Sequence, residues 1–324
     1  MIICRAPFRL SFFGGGTDLP WFYRQESGLV FSTTIRKYVL VSVHKMFDSS
    51  DILLKYSEVE RVREVNQVKH LILREALKRY LNGGIEIGVS AEIPSGTGLG
   101  SSSAFTVCLL KALRIYNGLE AGRESVAEEA CHLEINQMSQ AIGKQDQYAA
   151  AYGGLNRFEF RSDESVQVAK IDLGDEARNT LDDSLFLVRV GQTRSAESIL
   201  SAQHQAFVKS NQVRRAYDKM LSFTSQIQNN VFEDLPTLGL KLQEAWELKK
   251  ELNQAVTNPN IDRIVDQGIR SGSLGAKLLG AGQGGFVFFL VPKERQEEFL
   301  RGMRNYNKIK VNLDLDGCIP VYRH

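Results

Sequence analysis

Residues 85–105, IEIGVSAEIPSGTGLGSSSAF, join an alternating apolar run to an apolar helical stretch through a loop of glycine and serine. Only a strand–loop–helix unit satisfies all three parts. In an extended chain Ile85, Ile87, Val89, Ala91 and Ile93 point one way. Pro94 ends that strand, Gly96, Gly98 and Gly100 follow at alternate positions, and Ser101, Ser102 and Ser103 open a helix expected near 102–116, closed by Gly118. Glycines lack Cβ atoms, so backbone N–H groups can approach an anion closely. The helix start behind them adds unpaired N–H groups and the positive end of the macrodipole. That arrangement suits a polyphosphate, although glycine-rich turns between strand and helix also occur without ligands. Serine hydroxyls there can cap the helix or ligate Mg²⁺.

Two familiar nucleotide loops are excluded. No GxxxxGK[ST] occurs in the chain. GAGQGG at 280–285 matches GxGxxG by letter, yet it precedes the strand-like FVFFLV instead of opening a helix. It reads either as a tight turn packed against the phosphate loop or as a ligand contact.

Around this unit the layout is mixed. Residues 2–12 and 39–44 have strand character, and GGGTD at 14–18 is a turn. Helices are expected near 67–81, 123–138, 144–151 and 292–304, with helical periodicity dominating 195–271. GGLNRFEF (153–160), DSLFLVRV (183–190) and KIKVNLDLDG (308–317) read as β-structure. The 324 residues suffice for two intimate halves, with a boundary around 160–190.

Charge removes other classes. Forty basic residues against 38 acidic, without a basic run interleaved with aromatics, offer nucleic acid or membrane no electrostatic reason to bind. The N-terminus lacks a signal-peptide pattern, and no apolar run approaches the ~20 residues needed to span a bilayer. Cys4, Cys108, Cys131 and Cys318 form no CxxC pair and no metal-ligand spacing with the histidines. Buried free thiols, and so a soluble cytoplasmic protein, are expected. Cys4, His132 and His204 are read as structural.

Pro94 to Ser102, P-x-x-x-G-L-G-S-S, resembles the second signature of the GHMP kinases, named for galactokinase, homoserine kinase, mevalonate kinase and phosphomevalonate kinase. RAPFRLSFFGGGTDLP (5–20) is similar to the family's first signature and KLLGAGQGGFVFFL (277–290) to its third, in the same order. The resemblance implies an α+β GHMP kinase fold. A ribosomal-protein-like N-terminal domain over 1–175, containing a left-handed βαβ unit, would meet a ferredoxin-like C-terminal domain over 176–324, with the site between them.

It also implies roles. Residues 94–102, with Pro94, Gly96, Thr97, Gly98, Leu99, Gly100, Ser101 and Ser102, would hold the phosphates of ATP. Ser102 would ligate Mg²⁺ with Glu134 of CHLEINQ. Asp146 in GKQDQ would act as base, with Arg9 of APFRL beside it. A sugar hydroxyl is a weak nucleophile until a carboxylate takes its proton, and a neighbouring cation keeps that carboxylate ionised and oriented. Magnesium wants hard oxygens and neutralises phosphate charge. Taken singly, Glu134 could face solvent, Asp146 could cap its helix, and Arg9 could be a surface cation.

The substrate reading comes from a departure. Galactokinases carry G-E-H-x-D-Y where this chain has Gly14-Gly15-Gly16-Thr17-Asp18. The F-G-G-G-T-D form resembles the sugar 1-kinases acting on D-glycero-D-manno-heptose 7-phosphate, and also the fucokinases. Asp18 would accept hydrogen bonds from sugar hydroxyls, with Gly16 in the same turn; Thr17 would either contribute or cap the turn. Arg194 in VGQTRSAESIL would take the distal phosphate, with Lys144 and Arg157 as lesser candidates or plain surface cations. The expected activity is ATP-dependent phosphorylation of an anomeric hydroxyl. A kinase for a free sugar such as L-fucose, a sugar- and ATP-binding sensor, and a mevalonate-type decarboxylase are the alternatives.

Overall fold

The computed structural model describes residues 1–47, 49–81, 83–191, 196–252 and 256–323. Strand β1 (Ile2–Phe13) runs through the centre of the molecule. Its Ala6, Phe8, Leu10 and Phe12 are completely buried, while the alternate Arg9 and Ser11 face the cleft described below. A period of two thus presents grease on one face and chemistry on the other. A short helix α1 (Pro20–Tyr23) leads to β2 (Gly28–Lys45), which pairs antiparallel with β1. That pairing shifts register between Pro7 and Phe8 and again between Ser11 and Phe13, so irregularities bracket Arg9 and Ser11. Bulges of this kind re-aim side chains beside active sites.

Then come β3 (Ile52–Lys55), β4 (Val59–Val62), α2 (Leu71–Tyr80) and β5 (Ile85–Ala91). The expected strand at 85–93 stops two residues early. Ile85 and Ile87 are buried but Ala91 is exposed, so the alternating face outruns the sheet that covers it. Helix α3 (Ser101–Tyr116) packs across β1 and β2. Helix α4 (Arg123–Cys131) continues into a π-helical turn at His132–Gln137, and α5 (Gln145–Tyr152) and the strands β6 (Asn156–Phe160) and β7 (Val166–Lys170) follow.

Helix α6 (Asp175–Asp183) enters a second sheet through β8 (Leu185–Val190). Helices α7 (Ala196–Lys209), α8 (Asn211–Ser225), α9 (Leu235–Leu252) and α10 (Pro259–Arg270) precede β9 (Gly275–Leu278) and β10 (Gly285–Leu290). Helix α11 (Gln296–Gly302) and β11 (Lys308–Lys310) complete an antiparallel sheet of order β11-β8-β10-β9. The chain then crosses back. Strand β12 (Leu313–Asp314) pairs with β2, and β13 (Ile319–Arg323) pairs with β1 at the edge of the first sheet. A division at 175 therefore separates the sheets only as far as β11, because the chain's end belongs to the first.

The core is shared across the halves. Phe12 meets Phe232 and Phe288 edge to face, with ring centroids 5.1 and 5.6 Å apart, and Phe13 meets Phe223 at 5.9 Å. All four cysteines are buried and free. No helix of the described residues is long and apolar enough to cross a membrane.

Candidate active site

A cleft of about 340 Å³ lies between the halves, within the range of small-ligand sites. The GGGTD turn forms one side. Thr17 is fully buried and its hydroxyl is used by the backbone, lying 2.8 Å from the Gly14 carbonyl and 3.1 Å from that of Leu29 while accepting the Leu29 N–H at 3.0 Å. Thr17 locks the turn and does not line the cleft, so of its two expected roles the structure shows the turn-capping one and not a place among the substrate residues. Asp18 does line it. Its carboxylate accepts the N–H of Gly16 at 3.0 Å, the N–H of Gln145 at 3.3 Å and the Gln145 side-chain amide at 3.2 Å. Burial, and then the nearby Asp146, push the Asp18 pKa upward against those hydrogen bonds. Gly143 permits this packing, since a Cβ there would fall 1.9 Å from Asp18 Oδ2.

Arg9 is 4% exposed, not a surface cation. Its Nε donates to Asp146 Oδ1 at 2.7 Å and its Nη2 to Oδ2 at 3.3 Å, while Nη1 donates to the Gly98 carbonyl. Asp146 sits in the first turn of α5, whose N-cap position is Lys144, and Arg9 is the partner of its carboxylate. One guanidinium thus ties the carboxylate to the glycine loop. Lys144 is not available to a ligand in the same way: its Nζ donates to the Glu164 carboxylate at 2.6 Å and carbonyl at 2.8 Å, and lies 4.8 Å over the Tyr23 ring. It anchors the segment that carries Gln145 and Asp146. Arg157 faces Glu159 on β6, away from the cleft.

Gly96, Gly98, Gly100, Ser101, Ser102 and Ser103 line the cleft; Pro94, Thr97 and Leu99 do not. Leu99 is fully buried, and the Thr97 hydroxyl caps back onto the Pro94 carbonyl at 3.0 Å. The GAGQGG turn packs directly on this loop, as the tight-turn reading has it, and its Gly280, Gly282 and Gly284 also line the cleft. Gly98 and Gly280 have φ of +79° and +74°, and a Cβ on Gly280 would stand 2.5 Å from the Gly98 Cα. No other residue fits either place.

Behind the loop, Glu134 is wholly buried and accepts hydrogen bonds from Thr106 at 2.9 Å and Gln147 at 2.6 Å. It sits on the π-helical turn, where it is buried together with Leu133 while His132, Asn136 and Gln137 stay exposed. Burial pushes its pKa up to about 7, opposed by Gln147, Thr106 and Ser103 and assisted by Asp146. Ser103, next to the expected Ser102, both lines the cleft and hydrogen-bonds Glu134. Arg194 lies outside the described residues.

Sequence reasoning missed four contributors. Ser11 Oγ and Gln145 Oε1 are buried cleft atoms with no hydrogen-bond partner among the described residues. Lys249 of α9 and Lys277 of β9 also line the cleft. Lys277 had a readable signal, a single cation inside the apolar run SLGAKLLGAG; Lys249 in ELKKEL is indistinguishable from its exposed-looking neighbour.

Residues 66–154 match the GHMP kinases N terminal domain and residues 223–309 the GHMP kinases C terminal. The chain belongs to the GHMP kinase family. Members of this family are ATP-dependent kinases, and the chain is a phosphotransferase with an alcohol acceptor. A D-glycero-alpha-D-manno-heptose 7-phosphate kinase of Campylobacter jejuni is 27% identical over 93% of this chain and 92% of its own length. An L-fucokinase/L-fucose-1-P guanylyltransferase of Bacteroides fragilis is 25% identical over 90% of this chain, which spans 34% of that protein. The crystal structure of a D-glycero-D-manno-heptose 1-phosphate kinase from Bacteroides thetaiotaomicron superposes with a TM-score of 0.81 at 24% identity, covering all of both chains, and so shares the GHMP kinase fold.

Proposed function

We propose that this GHMP kinase transfers the γ-phosphoryl group of ATP to the anomeric hydroxyl of D-glycero-D-manno-heptose 7-phosphate, giving the 1,7-bisphosphate. The observation that carries the reading is the buried Asp18, held beside the Arg9–Asp146 pair in one cleft with the glycine loop. A carboxylate already ordered by three hydrogen bonds still offers lone pairs to sugar hydroxyls. Ser11 Oγ and Gln145 Oε1, both unpaired, supply further polar partners for a polyol. The full-length likeness to the Campylobacter jejuni heptose 7-phosphate kinase supports this sugar over others.

Asp146 accepts the proton of the hydroxyl as transfer proceeds, and Arg9 orients it against the loop that holds the phosphates. Glu134 and Ser102 suit magnesium, which takes one or two carboxylates together with phosphate oxygens. Ser102 lines the cleft, whereas Glu134 lies behind the loop, where burial favours its protonated form and a bound cation would favour the ionised one. When bound, magnesium neutralises phosphate charge. An ATP-consuming enzyme with buried free thiols would work in the cytoplasm.

The test is ADP release with ATP and Mg²⁺ over heptose 7-phosphate, mannose 6-phosphate, L-fucose and galactose, with NMR to locate the new phosphate. Turnover on heptose 7-phosphate at carbon 1 is expected. Turnover on L-fucose alone would replace the heptose while keeping the kinase.

A further inference from the structure

Lys249 and Lys277 are 7% and 3% exposed. Among the described residues each ammonium donates only to backbone carbonyls: Lys249 Nζ to Leu278 at 2.9 Å and Gly280 at 2.6 Å, and Lys277 Nζ to Phe12 at 2.7 Å and Ser11 at 3.4 Å. Neither is in an ion pair among the described residues. An ammonium has three N–H bonds, so each retains one for a ligand. Those carbonyls also fix their positions. Gly280 touches Gly98 of the phosphate loop, and Ser11 and Phe12 follow Arg9 on β1.

Three cations therefore share one region of the cleft, faced by Asp18 from the N-terminal turn and by Asp146, which Arg9 already occupies. Burying an ammonium without a counter-ion is costly. Tying together backbone carbonyls does not require two of them beside an arginine. The charge makes sense with an anion present.

We propose that Lys249 and Lys277 form a phosphoryl-binding subsite on the C-terminal wall of the cleft. This deepens the kinase reading and rests on it for the origin of the phosphoryl group, which is either the terminal phosphate of ATP or the phosphate that the sugar already carries. Both offer the same dianionic oxygens. Burial lowers the pKa of Lys249 to about 7, with Arg9 assisting and Asp18 opposing; that of Lys277 falls through burial, Lys249 and Arg9. A bound anion favours the ammonium forms, so binding takes up protons.

Isothermal calorimetry of the whole chain with inorganic phosphate at alkaline pH, in buffers of different ionisation enthalpy, tests this. Net proton uptake is expected, and Lys249→Met or Lys277→Met should weaken binding about tenfold or more, as the loss of a charge-assisted hydrogen bond does. Unchanged affinity with no proton uptake would overturn the subsite. Should a variant fail to fold, NMR of wild-type protein labelled at lysine Cε replaces it: two resonances with depressed titration midpoints should move to higher pH with phosphate, and fixed midpoints would reject the idea. The source is then read from the variants. Loss of the preference for ATP over ADP identifies the terminal phosphate; a raised KM for heptose 7-phosphate with ATP binding intact identifies the sugar's own. A protein that turns over no sugar yet binds phosphate through these lysines would sink the kinase reading and leave the subsite standing.

Discussion

Asp18 is packed so closely that a single methyl group should be felt by the sugar. Gly143→Ala would place a Cβ 1.9 Å from its Oδ2, so the carboxylate must turn away. We expect KM for the sugar to rise about tenfold or more, as lost charge-assisted hydrogen bonds imply, while ATP binding measured by calorimetry stays put. Asp146→Asn keeps the shape and removes the proposed proton acceptor; kcat should fall by about 100-fold with ATP affinity preserved. Near-normal kcat in that variant would reduce Asp146 to an orienting role.

Glu134, proposed above as a magnesium ligand, also bears on stability. Its folded pKa, about 7, lies above the ordinary 4.5, so the protonated form is the one folding favours. Its stabilising contribution is whole below about pH 4.5 and is lost as pH rises through 7, on the order of 3 kcal/mol. Glu134→Gln should therefore gain on wild type in urea midpoint as metal-free samples go from pH 5 to 8. The unpaired Gln147 Oε1 can turn to accept the new amide. Equal midpoints at both pH values would contradict the assignment. Arg9, Asp18 and Asp146 were legible because each stands in a short motif whose chemistry needs that residue type. Ser11, Gln145, Lys249 and Lys277 were not, since their meaning comes from neighbours distant in sequence. Thr17 stayed open between two roles because a hydroxyl in a turn looks the same whether it serves a ligand or the backbone.

Among the elements, those with a clean period were readable: α3 and α5 lie within a residue of expectation at their starts. Strand β2 was recognised only in its second half. Its Gly28–Ile35 stretch is buried on both faces and carries three polar residues, Ser32, Thr33 and Thr34, so no alternation marks it. The π-helical turn that carries the buried Glu134 left no trace in the helical pattern. The seam between the phosphate loop and the GAGQGG turn gives a prediction at this scale. Gly280→Ala combines a left-handed backbone with a Cβ 2.5 Å from Gly98, and should cost about 1–3 kcal/mol in denaturation. It should also weaken ATP binding by displacing the loop. A stable variant with normal ATP affinity would mean that the two turns are not mechanically joined.

In the whole molecule, the two halves are cross-linked by the Phe12–Phe288 and Phe13–Phe223 contacts and by the return of β12 and β13 to the first sheet. Alternation in KIKVNLDLDG reveals strands but not their partners, so this return was invisible in sequence. Its consequence is cooperative unfolding. Trp21 packs with Phe207 and Tyr217 beside the N-terminal turn, and Trp246 belongs to the core under the second sheet. Single-tryptophan proteins made by Trp21→Phe and Trp246→Phe should each unfold in one urea transition, whose fluorescence and far-UV circular dichroism midpoints coincide. Separate midpoints for the two signals of either protein would show halves that melt independently.

At Gly98 and Gly280 bare backbone meets bare backbone, far apart along the chain. Natural variation has no side chain to work with at that joint, so relatives that differ in their choice of sugar must diversify elsewhere. A chimera exchanging the second sheet between two such proteins inherits a working joint only if both parents kept these glycines, whatever else they had changed.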